Sequence, residues 1–190
     1  MKTESIMIVG VGGQGSLLAC RVLAECMAGR GFDVKVSEVH GMSQRGGSVV
    51  TYVRYGDRVF SPIVTEGECD WMISFEKLEA ARYAPCMKRG GYVIMNTQEI
   101  EPMPVMMGAA AYPDEIPEKL TSAGLHVIAF DALSIAEQAG SAKAVNIVLM
   151  GRFASARGDR KDEWLSALDS TVPEKFREMN RKAFELGYKV

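Results

Sequence analysis

The spacing of apolar positions changes period twice within the first 60 residues. Residues 6–9, Ile-Met-Ile-Val, form an unbroken apolar run of the kind buried on both faces of a parallel sheet. From residue 14 to 30 the spacing turns helical. Leu17, Leu18, Val22, Leu23 and Met27 fall on one stripe, and Gly29 and Gly31 close it. Residues 33–39 read as a second strand, so strand, glycine loop, helix and strand follow in close succession and predict a βαβ unit with a right-handed crossover. A polar, glycine-bearing stretch, 40–47, leads into a β-branched strand at 48–55. Gly56-Asp57 signals a turn, and residues 58–61 are expected to pair back as a hairpin ended by Pro62.

Further strands are expected at 70–75, 92–96 and 125–130. A helix is expected at 77–89, with Leu78, Ala81 and Tyr83 on its buried side and Gly90-Gly91 breaking it. Residues 97–120 carry Pro102, Pro104, Pro113 and Pro117 and read as a long excursion with little secondary structure. Helices follow at 131–139, 142–157, 160–169 and 173–187. The alternation predicts an open, doubly wound, mostly parallel α/β sheet of Rossmann-like type with a helical C-terminus. With no internal repeat or low-complexity linker, residues 1–190 are expected to form one domain.

Composition narrows the function classes. The 190 residues are 47% hydrophobic and 24% charged, ordinary for a globular protein, and the net charge of −2 provides no electrostatic drive towards nucleic acid or membrane. No apolar segment approaches the roughly 20 residues of a transmembrane helix, and the N-terminus runs straight into a strand pattern, so a cytoplasmic protein without a signal peptide is expected. The cysteines, Cys20, Cys26, Cys69 and Cys86, include no C-x-x-C pair, and the chain has two histidines. This spacing predicts buried, reduced thiols and no metal or iron–sulfur site built by this chain alone. His126, inside an apolar strand, reads as structural, and Trp71 and Trp164 as core or interface anchors. Met103, Met106 and Met107 cluster in the proline-rich stretch, either as an adaptable contact surface or as part of a disordered excursion.

Chemistry concentrates in two loops. Gly10-Val11-Gly12-Gly13-Gln14-Gly15 is a G-x-G-x-x-G sequence between a strand and a helix, where backbone N–H groups and the helix terminus suit a phosphate. Glu38, 23 positions past Gly15, stands near the spacing of a ribose-binding acid in a dinucleotide fold. The other reading is a tight strand–helix crossing with no nucleotide. Gln14 is suited to hydrogen-bond a ligand or to bond across an interface. The second loop runs Glu38-Val39-His40-Gly41-Met42-Ser43-Gln44-Arg45-Gly46-Gly47-Ser48. There Arg45 is suited to clamp a carboxylate or phosphate, or to pair with Glu38. His40 is a candidate proton donor near a reacting carbonyl, or a loop-ordering group. Ser43 and Gln44 offer donors without an adjacent base, which argues against a nucleophile.

Taken together, G-x-G-G-Q-G and E-V-H-G-M-S-Q-R-G-G-S-V resemble the gamma-type domain of the 2-oxoacid:ferredoxin oxidoreductases. The likeness extends through Val53-Arg54, Ser61-Pro62, Glu66-Gly67-Glu68-Cys69-Asp70, Phe75-Glu76-Lys77-Leu78-Glu79-Ala80, Gly90-Gly91, Asn96, Tyr112-Pro113, Asp131-Ala132, Asn146 and Phe184-Glu185. Within the family it points to enzymes of aryl-2-oxoacids such as indolepyruvate, in which this domain is a separate chain. The resemblance implies a subunit, inactive alone, of an enzyme that converts a 2-oxoacid to acyl-CoA and CO2 and passes electrons to ferredoxin. It implies a large (alpha) catalytic subunit holding thiamine diphosphate, magnesium and iron–sulfur clusters, with coenzyme A as co-substrate and no cofactor bound tightly here. Consistently, the chain lacks the Asp/Asn-rich metal–diphosphate signature of a thiamine site. The isolated chain is also a candidate homodimer. Two rival readings are a stand-alone NAD(P)-binding Rossmann oxidoreductase and a non-catalytic assembly protein.

Overall fold

The computed structural model describes residues 3–40 and 47–190, and for His40 its backbone. The first strand, β1 (Glu4–Val11), is buried from Ser5 to Gly10, as its apolar run requires. Helix α1 (Ser16–Gly29) buries Ala19, Cys20, Val22, Leu23, Cys26 and Met27. Its contact face is therefore offset from the Leu17-to-Met27 stripe, and Leu17 is 44% exposed. Small residues (Ala19, Cys20, Cys26) let the helix lie close to the sheet.

Strands β2 (Asp33–His40) and β3 (Ser48–Gly56) correct the expected βαβ unit. β3 lies antiparallel between β1 and β2, in register from Glu4↔Tyr55 to Val11↔Ser48 on one side and from Asp33↔Gly56 to His40↔Val49 on the other. β1 and β2 thus point the same way without touching, and the sheet is mixed. Residues 58–61 do not pair back. Val59 N–H donates to Asp33 Oδ2 at 2.8 Å and Phe60 projects from the surface.

On the other side of β1, strand β4 (Cys69–Ser74) runs parallel, followed by helix α2 (Lys77–Tyr83). The expected helix to residue 89 stops early. A single 3-10 turn, Ala84–Cys86, contains Pro85, and strand β5 (Met87–Asn96) starts at once. Gly90-Gly91 is therefore inside a strand, beside a register shift between Cys69 and Trp71, and does not break a helix. The proline-rich stretch holds two short helices that the sequence reading missed, α3 (Met103–Met106) and α4 (Ile116–Ser122). Their prolines sit in the first turn, where a missing N–H costs nothing. Strand β6 (His126–Phe130), helix α5 (Ala132–Ala139), a 3-10 turn at Ala142–Ala144, and helices α6 (Val145–Arg157), α7 (Lys161–Thr171) and α8 (Glu174–Lys189) complete the chain.

The sheet order is β2-β3-β1-β4-β5-β6. One core joins the sheet to α1, α5, α6, α7 and α8, with Trp164 and Phe184 fully buried in it. The other joins the opposite face to α2 and α4 through Ala80, Ile116 and Leu120. His126 differs from expectation: it is exposed on the edge strand, its ring stacked on Tyr92 at 4.7 Å, and Tyr92 stacks in turn on Trp71 at 4.4 Å. At the amino edge of the sheet, Arg157 pairs with Glu4 and with Asp159, and Asp159 also pairs with Arg30. Burial opposes the Arg157 charge, but the Glu4 hydrogen bond and nearby carboxylates win, and its pKa is raised.

Candidate functional site

From β1 the chain turns into α1 on one face of the sheet. From β4 it turns into α2 on the opposite face. The carboxyl ends of β1 and β4 therefore flank a topological switch point, where open α/β sheets hold their ligands and partners. The glycine loop sits there. Gly12 N–H donates to the Gly47 carbonyl at 2.9 Å, extending the β1–β3 ladder. Gly15 caps α1 with φ 85°, and a Cβ there would lie 2.7 Å from Asn146 Nδ2. Asn146 Nδ2 donates to the Gly15 carbonyl at 3.1 Å, which ties α6 to the start of α1.

Gln14 works as a latch across the switch point. Its Oε1 accepts from Val11 N–H at 2.7 Å, and its Nε2 donates to the Phe75 carbonyl at 3.3 Å and reaches Gln98 Oε1 at 3.5 Å. Gly10 leaves room for this, since a Cβ there would meet Gln14 Oε1 at 2.8 Å. Buried Asn96 extends the network: Nδ2 donates to the same Phe75 carbonyl at 3.2 Å, and Oδ1 accepts from Ala132 N–H at 3.0 Å.

Two clefts open beside the loop. One, about 490 Å³, is lined by Gly13, Gln14, Gly15, Gln98, Ile100 and Lys143, among others. The other, about 430 Å³, is lined by Gly12, Gly13, Gly15, Ser16, Leu17, Glu38 and Val49. Glu38 does approach the glycine loop, with Oε1 3.5 Å from Ser16 Oγ. It stands on β2, however, with β3 between it and β1. A carboxylate at the first turn of α1 answers the positive end of the helix. The Lys143 cleft has the opposite sign and suits an anionic group. Gly12 N–H, spent on Gly47, is also lost to any phosphate cradle.

Acids that sequence reading passed over as site residues form a buried cluster behind this edge. Glu76 is 1% exposed and caps α2, accepting from Glu79 N–H at 2.9 Å and from Ile100 N–H at 3.1 Å. The Tyr112 hydroxyl donates to it as well. Burial, and then this hydrogen bond, push the Tyr112 pKa up, so the phenol stays a donor. Glu79 accepts from the Ser48 hydroxyl and, at 3.2 Å, from Arg82 Nε; the Ser48 and Tyr83 hydroxyls lie 3.3 Å apart. Their carboxylates are committed to fixed donors, which makes the cluster an anchor for the start of β3 and for α2. The signal in the sequence was the i, i+3 spacing of Glu76 and Glu79 in Phe75-Glu76-Lys77-Leu78-Glu79-Ala80. α2 buries Glu79 and Ala80 fully, and of the expected inward residues Ala81 and Tyr83 pack half-buried against the same core while Leu78 is half-buried.

Gly10, Gly12, Gly13, Gln14, Gly15, Glu38 and Gly47 thus converge at one edge. The backbone of His40 ends β2 opposite Val49. The side chain of His40, and Ser43, Gln44, Arg45 and Gly46, lie outside the described residues. Cys20 and Cys26 lie on α1, Cys69 on β4 and Cys86 in the 3-10 turn. Burial pushes the Cys20 and Cys26 thiols up to about 12 and raises Cys69 too, so none of these three is a ready thiolate. Among the described residues no three His, Cys, Asp or Glu side chains group as a metal site. The four cysteines, spread over α1, β4 and the 3-10 turn, do not group as the thiolate set of an iron–sulfur cluster.

The sequence profile of the pyruvate ferredoxin/flavodoxin oxidoreductase family matches residues 5–190, and the chain belongs to that family. More particularly, it is 42% identical to the indolepyruvate oxidoreductase subunit IorB of Thermococcus kodakarensis, over 100% of this chain and 96% of that one. The common gamma subunit of the pyruvate/ketoisovalerate oxidoreductases of Thermococcus litoralis is 27% identical, over 92% of this chain and 89% of that one. Among solved structures, the gamma subunit of a keto/oxoacid ferredoxin oxidoreductase from Geobacter sulfurreducens superposes with a TM-score of 0.73 at 26% identity, covering 98% of this chain and 96% of that one.

Proposed function

We propose that this chain, as one gamma-type domain over residues 1–190, is the small subunit of an indolepyruvate (aryl-2-oxoacid):ferredoxin oxidoreductase and is inactive alone. The observation that carries the reading is the full-length likeness at 42% identity to an indolepyruvate oxidoreductase subunit, against 27% to a pyruvate/ketoisovalerate gamma subunit. The complete enzyme converts a 2-oxoacid and coenzyme A to acyl-CoA and CO2, reducing two ferredoxins by one electron each. Thiamine diphosphate with magnesium supplies the decarboxylation chemistry and iron–sulfur clusters the electron path, all held by a large partner subunit. The buried thiols agree with a cytoplasmic location.

In this reading the glycine loop is a rigid crossing, latched by Gln14, that presents the carboxyl edge of the sheet to the large subunit. A nicotinamide cofactor is disfavoured by the position of Glu38 beyond β3. The cleft beside Lys143 and the side chain of Arg45 are assigned to an anionic group, the 2-oxoacid carboxylate or a coenzyme A phosphate. The test is an assay of the chain reconstituted with its large subunit, coenzyme A and an electron acceptor. Indolepyruvate is expected to give the highest kcat/KM, then phenylpyruvate, then pyruvate; pyruvate as best substrate would overturn the substrate class. Arg45→Ala is expected to lower kcat/KM at least about tenfold while assembly persists, and unchanged turnover removes Arg45 from the site.

A further inference from the structure

Helix α3 and the residue that caps it expose three large apolar side chains on barely one turn: Met103 at 63%, Met106 at 66% and Met107 at 74%. The exposure continues through Gly108, Ala109, Ala110 and Ala111. The segment is nevertheless fixed in shape. Pro102 and Pro104 restrict its start, Met106 N–H donates to the Pro102 carbonyl at 3.1 Å, and Ala109 N–H donates to the Pro104 carbonyl at 2.8 Å. An apolar, pre-shaped projection adds nothing to this chain's own cores and is a common form of docking element. Carboxylates outnumber cations along the segment: residues 97–118 carry five and no lysine or arginine, while Lys77 pairs with Glu99 and Lys119 Nζ donates to the Asp114 carbonyl at 2.7 Å. Of the five, Glu101, Asp114 and Glu115 are exposed and have no ion-pair partner among the described residues.

From this apolar projection, flanked in sequence by exposed carboxylates without ion-pair partners among the described residues, we infer that α3 inserts into an apolar groove bordered by lysine or arginine on the large subunit. The inference rests on the subunit reading above and adds the surface that makes the contact. It is tested by measuring the dissociation constant between the purified large subunit and the full chain. The triple variant Met103→Ser/Met106→Ser/Met107→Ser is expected to bind about 100-fold more weakly. The reversal Glu101→Lys/Asp114→Lys/Glu115→Lys is expected to weaken binding about tenfold at low salt, with a smaller loss at high salt. Far-UV circular dichroism should match the parent chain for both. If the parent chain binds and the methionine variant binds within twofold of it, the inference is overturned while the subunit reading stands. If the parent chain does not bind at all, both fall. If the variant instead loses only self-association, measured by sedimentation, the patch belongs to a second copy and the inference is overturned.

Discussion

Gln14 hydrogen-bonds Val11 and Phe75 from one side chain. Gln14→Ala strands the Val11 N–H at the edge of the core, at a cost of about 1–3 kcal/mol if buried without a partner, while the Phe75 carbonyl keeps Asn96 Nδ2. A drop in the urea midpoint with an unchanged m-value checks this; an unchanged midpoint contradicts the latch. Gly15→Ala combines a left-handed φ of 85° with a contact at 2.7 Å to Asn146, and is expected to cost about 1–3 kcal/mol by strain alone. The thiols give a chemical test. In the native chain a thiol reagent near pH 8 should label half-buried Cys86 first and leave Cys20, Cys26 and Cys69 protected until unfolding. Cys20 and Cys26 have folded pKa values of about 12, above the ordinary 9.0, so their contribution to stability is intact below pH 9. It fades as pH rises from 9 towards 12, because the unfolded thiol ionises first. Thermal denaturation should therefore shift to lower temperature across that window, less steeply in Cys20→Ala. At this scale the sequence showed the turning glycines of the first loop and that the cysteines are unpaired. It did not show that Gln14 would spend its amide on its own chain, because those partners are 61 and 84 positions away.

Between elements, the closest approach is the crossing of α6 and α8. A Cβ on Gly151 would lie 2.2 Å from the Phe184 carbonyl, and one on Gly187 2.1 Å from the Val148 carbonyl. Backbone cannot give way as a side-chain tip can, so Gly151→Ala is expected to force the helices apart. The cost is expected at or above about 1–3 kcal/mol, the usual range for overpacking, with a fall in melting temperature of several degrees. A melting temperature within one degree of the parent would contradict the packing. Element existence was readable for the long periodic segments, β1, α1, β4 and the four C-terminal helices. Strand neighbourhood was not. The period of a strand says which face is buried and nothing about which strand lies beside it, so β1–α1–β2 read as adjacent although β3 inserts between them. Residues 97–120 read as structureless because prolines normally stop helices, whereas Pro104 and Pro117 occupy first-turn positions. Gly90-Gly91 failed as a helix breaker for a related reason: Pro85 had already ended the helix.

For the whole molecule, a dinucleotide fingerprint and a dense polar loop were both legible, and together they indicated the family before any coordinate was known. What the sequence could not show is how the mixed sheet divides the two sides of the glycine loop. Glu38 lines one side, and Lys143 leaves the other suited to an anion. NADH titrated into the isolated chain is accordingly expected to show no micromolar binding, and binding at that level would favour a stand-alone dehydrogenase. The central claim is that this chain completes an enzyme whose redox and thiamine chemistry resides elsewhere. The most direct measurement is turnover of indolepyruvate by the large subunit with and without this chain, with coenzyme A and ferredoxin present. The predicted result is full acyl-CoA formation and ferredoxin reduction with both chains, and none with this chain alone. Full turnover by the large subunit in its absence, or by this chain unaided, would contradict the account.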